Sequence, residues 1–519
     1  MEQWMPDRVL AWIKRIPRPH RCAFWGVWLA GLFAHGYMFA NKLPNHDDVQ
    51  SFWGKGAGMS LGRWGLSLVG RLDGSFSAPW MLGLFSLCLL AAAAMLMVEI
   101  LEIKRPLFAA LAGAVLVVFP TVTSMFAYMF TSDAYALSVL LAVLAAWLAR
   151  KGRWWLLAAA ACITVSLSLY QAFFGWAAAL LVYGLYARSI QPKASAKAIF
   201  WDGVCQAGAL ALGMAAYLGL TRAFLALSDT ELDGYMHADQ MGEMHLSWLP
   251  GQLRDAYREF FGVWKLGSNR GMANSFGIRL LLAGCLVLFC LLLAEGILRQ
   301  LLRRKYPEAA LALLLAALFP VAVNTIWLMH TSSVHTLMCY PLCMLPIALL
   351  ARCDGWSALR FPKGGAGVVR LAGCWLVTGC VGLLALRYGM LANEAYLEMQ
   401  INHTRRLSYW NSIVTQIRSL PEYDPSLPVA LVGSNSEDPG LPSWWHNQDL
   451  DRLCGVDLRI RQYSDQRFLN LYLAYAPAYA DPIAMGQLPE VQAMPSYPAR
   501  GSVGIVDGVI VVKICDIEL

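Results

Sequence analysis

Residues 22–48 read CAFWGVWLAGLFAHGYMFANKLPNHDD, an apolar run over 22–40 that ends at Asn41-Lys42 and is followed almost at once by the acidic doublet Asp47-Asp48. A helix crosses a bilayer in roughly 17 to 25 apolar residues, so this run is long enough to span. A basic stretch precedes it, but the run is long for a signal-peptide core and lacks a small-x-small cleavage site. It reads as a retained first span. Carboxylates at the mouth of a helical bundle must be solvated, paired or used, so the doublet is the first place to look for chemistry.

Similar runs recur along the first 390 residues, and the composition agrees: 58% hydrophobic and 14% charged residues, with a mean hydropathy of +0.49. Soluble domains carry about 25% charged residues. The chain is therefore expected to be a polytopic α-helical membrane protein. About eleven spans are expected, near 22–40, 80–101, 107–123, 135–149, 154–168, 172–187, 203–225, 277–297, 308–329, 336–351 and 371–391. The run 154–187 is divided at Tyr170-Gln171, where a polar pair interrupts it. Alternating barrel-type segments are absent from this region.

Basic residues cluster in alternate loops: before the first span, and after the second, fourth, sixth, eighth and tenth. The short loops near 124–134, 169–171 and 330–335 hold no Lys or Arg. This positive-inside pattern puts the N-terminus in the cytoplasm and the C-terminal tail outside. The net charge of +7 is spread over these short loops and gives no surface for nucleic acid. Most of the 13 cysteines lie in apolar runs and read as packing residues, Cys339 and Cys343 included. Cys454 and Cys515 lie in the hydrophilic tail, where an oxidising compartment would permit a disulfide.

Three outer segments are long: 41–79, 226–276 and 392–519. Residues 61–69 fit an amphipathic helix along the interface, and 253–266 a helix with an aromatic face. The tail opens with an expected helix at 393–419. Val429–Val432 then reads as a buried strand, and Val503–Val506 with Val509–Ile514 flank Asp507-Gly508, a favoured two-residue hairpin turn. Two parts follow: a transmembrane domain over 1–391 with outer loops 41–79 and 226–276, and a small α/β domain over 392–519 outside the membrane. No internal repeat suggests an inverted-repeat transporter.

The candidate chemistry lies on the outer face. Asp47 or Asp48 fits a general base that takes a proton from an acceptor hydroxyl, its neighbour tuning the pKa or holding the acceptor; a solvated loop or a helix cap is the plainer alternative. The outer loops carry Lys42, Lys55, Arg63, Arg71, Arg222, Arg254, Arg258, Lys265 and Arg270. These suit a phosphate headgroup, or else lipid headgroups and nearby acids. Arg63, Lys265 and Arg270 are the phosphate candidates. Asp133 fits either a contact to a sugar hydroxyl or the start of a helix. Tyr170 and Gln171 fit sugar contacts, or interfacial anchoring and satisfaction of a helix break. His330 and His335 bracket a short loop; without a third and fourth ligand they read as hydrogen-bonding residues of the site rather than a metal centre. No cofactor is expected, and a divalent cation stays open.

Asp47-Asp48, Gly62-Arg63-Trp64 and Ser168-Leu169-Tyr170-Gln171 together resemble the GtrII-type glucosyltransferases, bacterial inner-membrane proteins that modify O-antigen. The resemblance implies a GT-C type fold, a polyprenyl-phosphate-linked sugar donor, and a lipid-linked or surface glycan acceptor. It further implies that one Asp of the doublet is the base and that displacement at the anomeric carbon inverts configuration. A polysaccharide polymerase or ligase would leave the early doublet without a role. A transporter or flippase would want ionisable groups deep in several spans.

Overall fold

In the computed structural model, residues 15–56, 58–233, 247–265, 275–329, 334–357, 365–433 and 462–516 are described, with residues 11, 272, 450 and 453 besides. The first span is α1 (Arg18–Ala40), followed by two short helices, α2 (His46–Gln50) and α3 (Gly65–Asp73). The bundle continues with α4 (Pro79–Ile100), α5 (Pro106–Val118), α6 (Pro120–Ala127), α7 (Ser132–Ala149), α8 (Trp155–Leu169), α9 (Phe174–Ser189) and α10 (Ala196–Ser228). Then come α11 (Leu249–Phe261), α12 (Phe276–Leu302), α13 (Tyr306–Val323), α14 (Ile326–Met329), α15 (Met344–Ser357) and the 54-residue α16 (Gly365–Arg418).

Eight helices among the described residues are long and apolar enough to cross a membrane, or nine if the pair α5–α6 is one bent span. The count thus differs from the expected eleven. The bend of 42° falls at Phe119-Pro120. The residue before a proline is driven out of the α region, and Phe119 has ψ 138°. The expected division at Tyr170 is present: Tyr170 is extended, with φ −158° and ψ 112°, between α8 and α9. These two helices have 15 and 16 residues, short of a full crossing of about 20.

Small residues set the closest helix contact. A Cβ on Gly26 of α1 would collide with the Ala110 carbonyl of α5, and one on Gly113 of α5 with the Ala23 carbonyl of α1. Without a hydrophobic driving force between helices in lipid, such close backbone approach is what packs them. The bundle's centre is the stretch 336–354, whose residues are all buried. It begins as a 3₁₀ turn, Thr336–Cys343, and continues as α15. There the Cys343 thiol donates to the Val115 carbonyl at 3.5 Å and Cys339 to that of His335 at 3.4 Å. Both thiols pack, as their place in an apolar run implies.

The division expected at 391–392 falls inside α16. Its Asn393 amide still donates to the Phe33 carbonyl of α1 at 2.9 Å, and Tyr396 hydrogen-bonds His35 at 2.9 Å. Beyond α16, β1 (Val429–Val432), β2 (Val503–Val506) and β3 (Val509–Lys513) form one sheet in the order β1-β3-β2. β3 runs parallel to β1 and antiparallel to β2. The β2–β3 turn has positive φ at Asp507 (50°) and Gly508 (75°), the geometry a two-residue hairpin turn needs. Helices α17 (Gln462–Leu473), α18 (Pro482–Gly486) and α19 (Pro489–Ala493) complete the described chain. Phe468 and Leu469 of α17, Trp410 and Ile413 of α16, and Val429 and Ile510 of the sheet share one apolar core, and Val49 of α2 belongs to it. Thus the helix that carries the acidic doublet is anchored in the core of the C-terminal part.

Candidate functional site

The two acids of α2 have different surroundings. Asn45 caps this helix, its side-chain oxygen accepting the Asp48 N–H at 2.7 Å. Successive helical residues point about 100° apart, so Asp47 and Asp48 face different ways. Asp48 points into the bundle and is 0% exposed. Its carboxylate accepts from the Lys42 ammonium, the Ser77 hydroxyl and the Phe130 N–H, the last at 3.2 Å. Lys42 also donates to Ser77 at 2.6 Å and lies 4.8 Å from the centre of the Phe52 ring. Burial draws the Lys42 pKa down, and the neighbouring Asp48 opposes it. Asp47 instead has a side chain 40% exposed. One oxygen accepts the Tyr463 hydroxyl at 2.6 Å, and the other lies 3.7 Å from His46 Nε2.

A second polar knot sits one helical turn from Phe130. Lys55 is buried, and its ammonium bridges Asp133, at 2.8 Å, and Asp73. Asp133 stands in the first turn of α7, where a carboxylate is favoured by the helix dipole. Burial pushes the Asp73 carboxyl up, but the facing Asp133 carboxyl and Lys55 ammonium outweigh it and hold Asp73 below its ordinary value.

The third knot joins the two remaining motifs. The Arg63 guanidinium lies 4.8 Å from the centre of the Tyr170 ring and donates to Gln171 at 3.4 Å and the Tyr135 hydroxyl at 3.3 Å. The Gln171 amide donates to the Leu61 carbonyl and to Tyr217, both at 2.9 Å. Tyr217 donates to the Gly62 carbonyl at 3.0 Å, and the Trp64 indole to Thr221 at 3.2 Å. Gly65 allows the close fit, since a Cβ there would collide with the Ser168 hydroxyl and meet its carbonyl at 3.0 Å. The loop 59–65 is therefore folded onto the ends of α8 and α10.

Of the residues read from sequence, Asp47, Asp48, Arg63, Asp133, Tyr170 and Gln171 fall on these three linked knots. Lys265 is exposed just past α11, its ammonium 5.7 Å from the centre of the Trp264 ring. His335 is half-buried ahead of the 3₁₀ turn, its carbonyl accepting the Met338 N–H at 2.9 Å. Arg270, His330 and Cys454 lie outside the described residues. Asp48 is not the cap of its helix; Asn45 is. Lys42 and Lys55, grouped by sequence with the phosphate candidates, neutralise carboxylates instead. Ser77, Asp73, Tyr217 and Tyr463 were not foreseen. The three acids set among four bases in the loop 41–79 hinted at the Lys55–Asp73 pairing, whereas Tyr463 sits 416 positions from its partner and left no local signal. Among the described residues, no group of three or more His, Cys, Asp or Glu stands close enough to hold a metal.

Long apolar helices whose loops fold back into a polar, partly buried cluster define a polytopic membrane protein with a built site at one end of its bundle. The chain belongs to the glucosyl transferase GtrII family, whose model matches residues 36–346, more than half of its length. The resemblance carried by the three motifs is thereby borne out, and the activity is that of a glycosyltransferase. The candidate site residues read from the sequence, from Asp47 to His335, all fall within the matched segment; Tyr463 does not. No curated protein and no solved structure matches the chain.

Proposed function

We propose that the protein transfers a sugar, glucose by its family, from a polyprenyl-phosphate carrier to a lipid-linked or surface glycan such as O-antigen. The reaction takes place on the periplasmic face of the bacterial inner membrane, with the N-terminus cytoplasmic and residues 392–519 forming a periplasmic α/β domain. The observation that carries the reading is the asymmetry of the doublet: Asp48 is enclosed by three donors, while Asp47 offers a carboxylate 40% exposed.

Asp47 is the base. It accepts the proton of an acceptor hydroxyl as that oxygen attacks the anomeric carbon from the face opposite the phosphate. The bond from the anomeric carbon to the phosphate oxygen breaks, and the carrier phosphate leaves with the electron pair. A single displacement inverts the anomeric configuration. The leaving phosphate needs charge stabilisation rather than a proton. Arg63 suits that role, because a guanidinium presents a planar fork of donors that matches phosphate oxygens, and it is positioned 4.8 Å from the centre of the Tyr170 ring. Asp133, Tyr170 and Gln171 then hold their neighbours in register more than they grip the sugar, since each is engaged in the knots described above.

The test is Asp47→Asn and Asp48→Asn in the full chain, with a polyprenyl-phosphate glucose donor and lipid-linked O-antigen. Asp47→Asn is expected to lower turnover by about 10²–10⁴-fold with the fold intact. Asp48→Asn is expected to act through stability. Normal turnover of a folded Asp47→Asn variant would remove the assignment.

A further inference from the structure

Asp47 and its neighbour His46 are met by one short stretch of the C-terminal part. Tyr463 and Ser464 stand in the first turn of α17. The Tyr463 hydroxyl donates to Asp47 Oδ1 at 2.6 Å, and the Ser464 hydroxyl donates to the His46 carbonyl at 2.7 Å. Ser464 is fully buried, and the Tyr463 ring meets the His46 ring edge-on at 6.0 Å. Further along α17, Phe468 and Leu469 share a core with Val49 of α2. The contact is therefore docked at three points, and the phenol, half-exposed itself, is held against the carboxylate by the docking of its helix.

What the phenol does there follows from the reaction proposed above, on which this inference rests. A general base needs an O–H within about 2.6–3.2 Å of its oxygen. The Tyr463 hydroxyl is an O–H at that distance from Asp47 Oδ1. It occupies the place that an attacking hydroxyl would take on that oxygen. Water, the commonest hydroxyl in the periplasm, is small and weakly held. A bulky glycan has many contacts with which to displace a half-exposed tyrosine.

We propose that Tyr463 is a specificity-determining residue, a stand-in hydroxyl that keeps Asp47 from activating water until an acceptor displaces it. Without it, donor hydrolysis competes. The water oxygen bonds to the anomeric carbon, its proton passes to Asp47, and the phosphate oxygen takes the electrons of the broken bond. Free glucose and polyprenyl phosphate result. The family-matched segment thus carries the base, and the C-terminal part decides which hydroxyl the base may use.

The experiment measures free glucose released from polyprenyl-phosphate glucose by the full-length protein in detergent, with no acceptor present. Tyr463→Phe is expected to release it about tenfold faster than the wild type, the factor lost with one hydrogen bond to a charged group. Ser464→Ala, which loosens the same turn while keeping the phenol, is expected to shift release in the same direction. A double variant Tyr463→Phe/Asp47→Asn is expected to return release to background. Release unchanged in Tyr463→Phe, while Asp47→Asn still abolishes transfer, would overturn the role of Tyr463 and leave the base assignment standing. Faster release that persists in the double variant would also overturn it. Full transfer by Asp47→Asn would instead remove the reaction itself, and this role with it.

Discussion

Replacing Lys42 with Met is the sharpest structural test of the doublet. Asp48 is 0% exposed, and Lys42 is the one cation that the described contacts bring to it. Met keeps the aliphatic stem against Phe52 but removes the charge. Asp48 would retain the Ser77 hydroxyl and the Phe130 N–H, yet its charge would be buried without a counter-ion. Removing one partner of such a pair costs about 3–5 kcal/mol. Asp48→Asn in the same position strands a lysine whose side chain is 17% exposed. That ammonium can turn toward water, so the loss should be smaller. The double variant Lys42→Met/Asp48→Asn removes both charges and should recover much of what Lys42→Met loses. The assay is a thermal or denaturant unfolding series of the four full-length proteins in one detergent. A Lys42→Met variant within about 0.5 kcal/mol of wild type, the range of ordinary surface changes, would refute the reasoning. So would additivity of the two single losses, which is the mark of residues that do not interact.

Two further outcomes follow from the neighbouring knots. Gly65→Ala should destabilise by about 1–3 kcal/mol, because its Cβ would collide with Ser168 and the loop would lift from α8; the same unfolding series reads it, and Gly65→Val should be worse. Asp73 titrates below its ordinary value in the folded chain. Its contribution to stability is therefore present above the unfolded value of about 3.9 and is lost as pH falls through the lower folded one. Asp73→Asn should flatten the acid limb of a stability–pH curve below about pH 4, and curves parallel to wild type would contradict the pairing.

Much of the bundle was legible because lipid demands so little of a sequence: a long apolar run with polar ends. The Tyr170-Gln171 break and the Asp507-Gly508 hairpin were also readable, since each rests on local backbone chemistry. The span count was less so. α8 and α9 are largely apolar but have only 15 and 16 residues, and composition does not report length in space. The site was half legible. Asp47, Asp48, Arg63 and Gln171 are where polar residues interrupt an apolar pattern. The partners that decide their roles come from distant segments: Ser77 and Phe130 on Asp48, Lys55 and Asp73 on Asp133, Tyr217 on Gln171. Such pairings are set by how loops fold back, and a single sequence does not encode that in any local period. The amphipathic pattern at 61–69 is present: Trp64, Gly65 and Leu66 are buried against protein, Gly65 letting the backbone descend onto Ser168, while Leu68 faces outward.

The helix α16 runs unbroken from its contact with α1 at Tyr396 to its end at Arg418. It works as an axle between the bundle and the sheet. Each residue of an α-helix adds about 1.5 Å of height and about 100° of turn. Deleting a single residue between 397 and 408 would therefore swing the C-terminal part about a quarter-turn with hardly any change in height. The bundle and the sheet would keep most of their own packing, but Val49 would leave the core it shares with α17 and Tyr463 would be dialled away from Asp47.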